Sequence, residues 1–209
     1  MLYTFDFAGT LLDTVAFPND MVDATGRAVI DIDFDPTTGK LYGGNADGNV
    51  YWFYPDMSDY DLVANVGFWP VAVACDWELQ QLYVREWNTN FGVINLRDGS
   101  YVGLPTGSNV GSTIGMAFMP LDPEGYNVWL LSQDDTGAGG TVFRFNPDAW
   151  EYDTTGETVY DVADGAAGGM SINRGWRSDF WDVTTVLQAS PDVVHIWEGI
   201  YAPPDWIVV

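Results

Sequence analysis

A motif that recurs four times constrains the fold of this chain more than any other feature. Each copy has a strand of alternating residues, a turn with Asp, Gly, Pro or Asn, and a second strand that opens with an aromatic residue. The copies read VIDIDFDPTTGKLY, PVAVACDWELQQLY, TIGMAFMPLDPEGYNVW and GGMSINRGWRSDFW. Their opening aromatics are 41, 46 and 52 residues apart, at Tyr42, Tyr83, Trp129 and Trp181. Self-similarity at such a period is typical of repeat architectures.

The spacing and the strand pattern together predict an all-β chain built as a β-propeller. Alternation of apolar and polar residues marks strands throughout, helical periodicity is absent, and Asp47-Gly48 is a strong two-residue hairpin signal. Four strands fit each period, as in a propeller blade. We expect one domain over residues 1–209, and its blade pieces cover approximately 1–18, 29–66, 70–104, 113–163 and 168–209.

The number of blades stays open at the level of sequence. The pattern contains five third strands but only four first strands. Five four-stranded blades would result if strands from both ends of the chain completed one blade together. Alternatively, the chain is an incomplete segment of a larger propeller. Its beginning and its end both read as cut within a structured region, which suggests excision from a longer protein.

The charge balance limits the classes of partner. The chain has 30 acidic residues against 7 basic ones, which gives a formal net charge of −23 at pH 7. Binding to phosphates requires basic residues, so nucleic acid and anionic membrane surfaces are not expected partners. No stretch approaches the roughly 20 apolar residues of a membrane-spanning helix, so we do not expect membrane insertion. The single cysteine, Cys75, lies in the apolar strand VAVAC and is predicted to be a buried free thiol.

Two aspartates are candidate metal ligands. Asp31, Asp33 and Asp35 lie two residues apart in DIDFD, so they share one side of a strand, where carboxylates can act as ligands of Ca²⁺. The other copies of the motif have Ala, Gly or Ser at the positions of Asp31 and Asp33. The metal-site prediction therefore rests on Asp31 and Asp33, with Ca²⁺ as the cofactor. The alternative is that these residues face water in a channel, and Asp35 before Pro is more simply a turn residue.

Four tryptophans are candidate ligand-binding residues because they lie in or beside loops: Trp69, Trp77, Trp87 and Trp176. Exposed tryptophan rings stack on sugars, so these residues suggest a surface that binds a glycan or another ligand. The alternative is that they pack in the core or between blades, as most tryptophans do.

Several segments carry a resemblance to a known class of proteins. DPTTGKLY (35–42), NVYWFYPD (49–56) and TVFRFNPD (141–148) resemble the propeller repeats of secreted bacterial multidomain surface proteins, including NHL-type and lactonase-like blades. The last residues, PDVVHIWEGIYAPPDWIVV, are similar to the exit from such a propeller into an immunoglobulin-like module. The resemblance implies an extracellular or cell-surface location.

The function predicted from these features is binding or scaffolding without catalysis. In this hypothesis an extracellular propeller module presents its loops to a protein or glycan partner. One alternative is a calcium-dependent propeller enzyme of the lactonase or lyase type, with Asp31 and Asp33 in the channel. Another is a structural spacer in a surface protein. The sequence contains no nucleophile triad, phosphate loop or zinc-ligand spacing that would favour a particular chemistry.

Overall fold

The structure is a computed structural model, and its described residues form an all-β fold. It describes residues 1–5, 10–24, 26–87, 89–104, 112–120, 122, 124–133, 140–153, 166–174, 181–188 and 194–198. Apart from one 3-10 turn at Asn19–Met21, the regular secondary structure of these residues is strand. The all-β class predicted from the alternating pattern is confirmed. Within the same residues no helix is long and apolar enough to span a membrane.

The strands form one hairpin followed by four antiparallel sheets. The N-terminal hairpin contains β1 (Leu2–Phe5) and β2 (Leu11–Val15). The first sheet contains β3 (Ile32–Asp35), β4 (Lys40–Gly44), β5 (Asn49–Phe53) and β6 (Tyr60–Asn65). The second sheet contains β7 (Ala72–Asp76), β8 (Gln81–Arg85), β9 (Phe91–Asn95) and β10 (Tyr101–Gly103).

The third and fourth sheets follow the same sequential order. The third sheet contains β11 (Ser112–Phe118), β12 (Val128–Gln133), β13 (Gly140–Asn146) and β14 (Glu151–Tyr152). The fourth sheet contains β15 (Ala166–Arg174), β16 (Trp181–Gln188) and β17 (Val194–Glu198). In every sheet consecutive strands are hydrogen-bonded neighbours, so each sheet is a simple meander.

The repeated motif produces the same register in the first three sheets. The aromatic that opens each second strand lies opposite a small residue or Asp on the first strand. The pairs are Asp33 with Tyr42, Ala74 with Tyr83 and Ala117 with Trp129. Asp47-Gly48 lies in the turn that joins β4 to β5, but the prediction of a two-residue hairpin is wrong, because residues 45–48 separate the two strands. Gly48 has φ +82°, a left-handed conformation that favours glycine.

The first strands of the four sheets contact one another in chain order. β3 contacts β7, β7 contacts β11, and β11 contacts β15. Two hydrogen bonds show that β3 and β7 run parallel, because Asp31 reaches Val73 and Asp33 reaches Cys75. Parallel first strands in adjacent sheets are the arrangement at the centre of a propeller.

The second sheet buries both of its faces against its neighbours. On one face, Val73, Cys75 and Leu82 pack with Tyr42 and Val50 of the first sheet. Cys75 is a buried free thiol, as predicted from its apolar strand. Burial and nearby carboxylates raise its pKa well above the ordinary value, so it stays protonated.

The other face of the second sheet packs on the third sheet largely through aromatic rings. Tyr83 stacks on Phe118 with ring centroids 6.4 Å apart, and Phe91 meets Phe145 edge-on at 4.9 Å. Aromatic pairs in these geometries contribute about 0.5–1.5 kcal/mol beyond the area that they bury. This interface is therefore an aromatic one, whereas the interface of the first and second sheets is mainly aliphatic.

Two leucines three residues apart test this packing. Leu82 is fully buried between the first and second sheets, while Leu79 is 58% exposed in the preceding turn. Leu82→Ala should lower the free energy of unfolding by about 2–5 kcal/mol, because it leaves a cavity in a packed interface. Leu79→Ala should change it by no more than about 0.5 kcal/mol. Urea unfolding of both variants measures the difference, and equal effects would contradict the stacked arrangement.

Candidate functional site

The two candidate metal-binding aspartates lie at the junction of the first two sheets. Asp31 Oδ2 accepts a hydrogen bond from the Val73 amide at 2.9 Å, and Asp33 Oδ2 accepts one from the Cys75 amide at 2.7 Å. We call Asp31, Asp33 and the β7 amides of Val73 and Cys75 the inner seam. β7 is an edge strand, since only its other side pairs with β8. The carboxylates therefore satisfy amides that have no strand partner.

Only the first sheet can form such a seam among the first three sheets. The positions that correspond to Asp31 and Asp33 are Ala72 and Ala74 in the second sheet, and Gly115 and Ala117 in the third. None of these residues has a side-chain acceptor. The junction of the first two sheets thus combines apolar packing with hydrogen bonds to carboxylates. At the next junction the buried Arg85 guanidinium of β8 donates a hydrogen bond to the Tyr152 hydroxyl of β14 at 3.0 Å.

Burial dominates the electrostatics of the inner seam. It raises the pKa of Asp31 well above the ordinary value, and the neighbouring Asp33 carboxylate raises it further. Hydrogen bonds from the backbone amides of Val73 and Met116 oppose this shift. Burial also raises the pKa of Asp33 to about 7, against the lowering effect of the Cys75 amide. Asp33 therefore changes its protonation state near neutral pH.

The metal-binding prediction for Asp31 and Asp33 stays a prediction. Both carboxylate oxygens of Asp33 accept backbone hydrogen bonds, Oδ1 from Phe34 at 2.8 Å and Oδ2 from Cys75. In the described part of the chain, no group of three or more His, Cys, Asp or Glu side chains is arranged to hold a metal ion. What the geometry shows directly is that these carboxylates bind the neighbouring strand.

Asp35 has the role of a turn residue that the Asp-Pro sequence indicates. Its Oδ1 accepts hydrogen bonds from the Thr37 amide at 2.8 Å and the Thr37 hydroxyl at 2.6 Å. Its Oδ2 accepts one from the Thr38 hydroxyl at 2.8 Å. Both oxygens therefore close the turn between β3 and β4.

The candidate ligand-binding tryptophans have different environments. Trp69 is half-buried, with the Arg27 guanidinium 5.3 Å from its ring centroid. Trp77 packs edge-on against Phe118 at 5.7 Å, between the second and third sheets. Trp87 is 44% exposed. Trp176 lies outside the described residues, and ligand binding by this set stays a prediction.

The topology divides these tryptophans between two faces of the molecule. Consecutive strands in each sheet alternate in direction, and the first strands of neighbouring sheets run parallel. The turns from first to second strand and from third to fourth strand therefore lie on the same face of the molecule. Trp77 lies in a turn of this group. Trp69 follows a fourth strand and Trp87 follows a second strand, so both lie on the opposite face. The tryptophans therefore do not form a single surface.

The face that contains Trp77 is acidic, and we call it the acidic face. It consists of the turns that link first to second and third to fourth strands in the first three sheets. Exposed carboxylates of these turns are Asp56, Asp59, Glu78, Asp98 and Asp148. Leu79 and Trp150, which are 58% and 50% exposed, lie among them. The sequence shows each acidic turn separately. That these turns lie on one face of the molecule follows only from the order and direction of the strands.

Three residues of the acidic face have a left-handed backbone although none is glycine. Met57, Gln80 and Trp150 have φ values of 54°, 58° and 56°. Each lies in a turn of a different sheet, so the feature recurs across three successive sheets. This conformation is uncommon for non-glycine residues.

Comparisons with solved structures agree on the fold. The chain matches no protein-family model and no curated protein. A structural genomics protein of unknown function from Bacteroides thetaiotaomicron matches with TM-score 0.55 and 17% identity, over 77% of this chain and 43% of that one. An auxiliary nutrient binding protein from the same organism matches with TM-score 0.51 and 15% identity, over 76% and 36%.

The WD40 repeats of RRP9 match with TM-score 0.50 and 11% identity, over 82% of this chain and 51% of that one. The chain thus spans less than two thirds of each of the three structures. At these identities the likeness shows the fold alone. It confirms the β-propeller class predicted from the repeats.

The inner seam predicts an unusual dependence of stability on pH. Since the pKa of Asp33 is higher in the folded chain than its ordinary value of 3.8, the folded state binds the proton more tightly. Stability from this group is therefore present at low pH and is lost as pH rises from about 4 to about 7. The side chain introduced by Asp33→Asn keeps a carbonyl acceptor but does not titrate. The free energy of unfolding of this variant should therefore fall less than that of the original chain as pH rises from about 4 to about 7.

Chemical unfolding between pH 4 and pH 8 measures this difference. The control is Asp47→Asn, the same substitution at an exposed turn residue outside the inner seam. Parallel profiles for Asp33→Asn and the original chain would show that the Asp33 carboxylate does not titrate within the seam.

Proposed function

We propose that this chain is a non-catalytic binding and scaffold propeller module whose acidic face contacts a protein partner. The observation that carries the proposal is that turns of three successive sheets emerge together, each with exposed carboxylates. Loops presented by a rigid β scaffold are common sites of recognition. The described propeller neighbours support this class of function, since they share the scaffold on which such loops are presented.

The chemistry of the acidic face favours a partner with a basic surface. Exposed carboxylates attract such a surface and accelerate encounter, an effect that salt weakens. Leu79 and Trp150 supply exposed apolar area among the charges. A tryptophan surrounded by polar residues is a common anchor of protein interfaces. We therefore infer that charge steers the partner and that these two side chains bury area on contact.

An extracellular or cell-surface location is part of the proposal. It is supported by the resemblance of the repeats to those of secreted bacterial surface proteins. The low lysine and arginine content is compatible with such a location. One of the structural neighbours is described as an auxiliary nutrient binding protein, which fits a binding role.

A glycan partner is the second candidate, and one observation favours it. Trp87 is 44% exposed on the face opposite the acidic face. Its ring is available for stacking on a sugar, whereas Trp77 is packed against Phe118. The two candidates therefore use opposite faces and can be separated by substitution.

Charge reversal on the acidic face tests the proposal. The immobilised chain is exposed to an extract of its source organism, and the retained proteins are identified by mass spectrometry. We expect a protein with a basic surface to be retained by the original chain and released by salt. The combined variant Glu78→Lys, Asp98→Lys and Asp148→Lys should lose it, because the substitutions replace attraction with repulsion.

Trp87→Ser on the opposite face is the matched control and should retain the same protein. Circular dichroism and thermal melting confirm that both variants are folded. Retention by the charge-reversed variant together with loss in Trp87→Ser would overturn the proposal and would favour the opposite face. A glycan array probed with the same variants then tests the second candidate.

A further inference from the structure

An open hollow lies in the acidic face beside the turn that links β5 to β6. It is lined by Tyr54, Pro55, Asp56 and Ser58 and has a volume of about 500 Å³. The hollow therefore has room for one long side chain of a partner. Among its lining residues, Tyr54 has an aromatic ring and Asp56 has an exposed carboxylate. Aromatic rings and carboxylates are the groups that bind organic cations. We call this surface the turn hollow.

The Asp56 carboxylate is held in place and ionised at neutral pH. Its Oδ1 accepts a hydrogen bond from the Ser58 amide at 3.0 Å. Hydrogen bonds from the Ser58 hydroxyl and amide hold the pKa of Asp56 below its usual value. The ion pairs of the described residues all belong to Arg144, so none of them involves Asp56. Asp56 therefore presents a fixed negative charge to solvent at the hollow.

An aromatic residue distinguishes this turn from the equivalent turns of the next two sheets. The paired residues that enclose the three turns are Phe53 with Tyr60, Ile94 with Tyr101, and Phe145 with Tyr152. In this register the position of Tyr54 is occupied by Asn95 and Asn146. Both asparagine side chains accept hydrogen bonds from amides of their own turns. Of the three turns, only the first thus combines a ring at this position with the carboxylate of the hollow.

The chain itself holds an arginine with the same two groups. In the third sheet, the central carbon of the Arg144 guanidinium lies 5.0 Å from the Tyr126 ring centroid. Nη2 of the same guanidinium lies 3.0 Å from a carboxylate oxygen of Glu124. A tyrosine ring and a carboxylate therefore contact one guanidinium together, which is the combination that the turn hollow offers to a partner.

The ring next to Tyr54 already contacts a cation of the chain. Lys40 Nζ lies 3.6 Å from the Trp52 ring centroid. Trp52 in turn meets Tyr54 edge-on, with ring centroids 5.7 Å apart. The Trp52 ring is thus engaged within the chain, and Tyr54 is the member of this aromatic pair that lines the hollow.

We propose that the turn hollow binds an arginine side chain of the basic protein partner. This inference rests on the proposed function and names the side chain by which the partner is anchored. The guanidinium pairs with the Asp56 carboxylate, and its flat face lies on the Tyr54 ring. Arginine suits these groups better than lysine, because its planar guanidinium stacks on aromatic rings and donates several hydrogen bonds at once. Arginine is also enriched among the anchor residues of protein interfaces.

An arginine tripeptide with blocked ends, acetyl-Gly-Arg-Gly-amide, is the probe. Its titration into the whole isotope-labelled chain should give saturable NMR shifts of the Asp56, Met57 and Ser58 amides. The citrulline tripeptide has nearly the same shape without the charge, so it should bind about tenfold or more weakly. The lysine tripeptide should also bind more weakly than the arginine tripeptide, because it lacks the planar group.

Substitutions of the two lining groups should weaken binding of the arginine tripeptide. Asp56→Asn keeps the shape of the side chain but removes its charge, so affinity should fall about tenfold or more. Tyr54→Leu removes the ring and should also lower affinity, whereas Tyr54→Phe keeps the ring and should bind as the original chain does. Thermal melting confirms that each variant is folded.

Asp98→Asn is the matched control. Asp98 is exposed and accepts a hydrogen bond from the Ser100 amide at 2.9 Å, as Asp56 does from Ser58. Its turn has Asn95 in place of an aromatic residue, so this control should bind the tripeptide with unchanged affinity. Equal losses in Asp56→Asn and Asp98→Asn would overturn the proposal, because they would show general attraction to the acidic face.

Two further results would overturn the proposal. One is equal binding of the arginine and citrulline tripeptides, and the other is the absence of saturable shifts at the Asp56 turn. The retention experiment separates this inference from the proposed function. If Asp56→Asn retains the basic protein as strongly as the original chain does, the arginine anchor is wrong, while its loss from the charge-reversed variant still supports the acidic face. Retention by the charge-reversed variant would instead contradict the proposed function.

Discussion

Burial of both faces of each sheet is the constraint on which the structure depends. A four-stranded sheet with apolar residues on both sides is stable only when a neighbour lies on each side. The second sheet meets this requirement, since the first sheet covers Val73 and Leu82 and the third covers Ala74 and Tyr83. Stacking of successive sheets, with parallel first strands at the centre, follows from this requirement.

The two described interfaces satisfy the same requirement with different chemistry. Between the first and second sheets, Asp31 and Asp33 accept hydrogen bonds from an edge strand beside an aliphatic core. Between the second and third, ring contacts such as that of Phe91 with Phe145 predominate. The first interface should therefore respond to pH through Asp33. The second contains the buried Arg85 guanidinium, which donates a hydrogen bond to the Tyr152 hydroxyl at 3.0 Å. A repeat architecture thus permits one junction to differ without a change in the backbone pattern.

Local patterns in the sequence predict most of the fold. The features that they do not predict depend on contacts between strands that are far apart in the sequence. Alternation and the spacing of Tyr42 and Tyr83 indicate strands and repeats, because each signal lies within a few residues. The burial of Cys75 follows from its apolar strand for the same reason. In contrast, the hydrogen bond from the Cys75 amide to Asp33 Oδ2 joins residues that are 42 positions apart. Which tryptophans share a face likewise depends on how the sheets stack.

Distances between three equivalent turns test the stacking most directly. Spin labels at Asp56→Cys, Asp98→Cys and Asp148→Cys, taken in pairs with Cys75→Ala, mark the turn from third to fourth strand in three successive sheets. Successive sheets around an axis predict similar distances for the two adjacent pairs and a longer 56–148 distance that stays below their sum. A 56–148 distance shorter than either adjacent distance would indicate sheets packed as a sandwich and would contradict the fold described above.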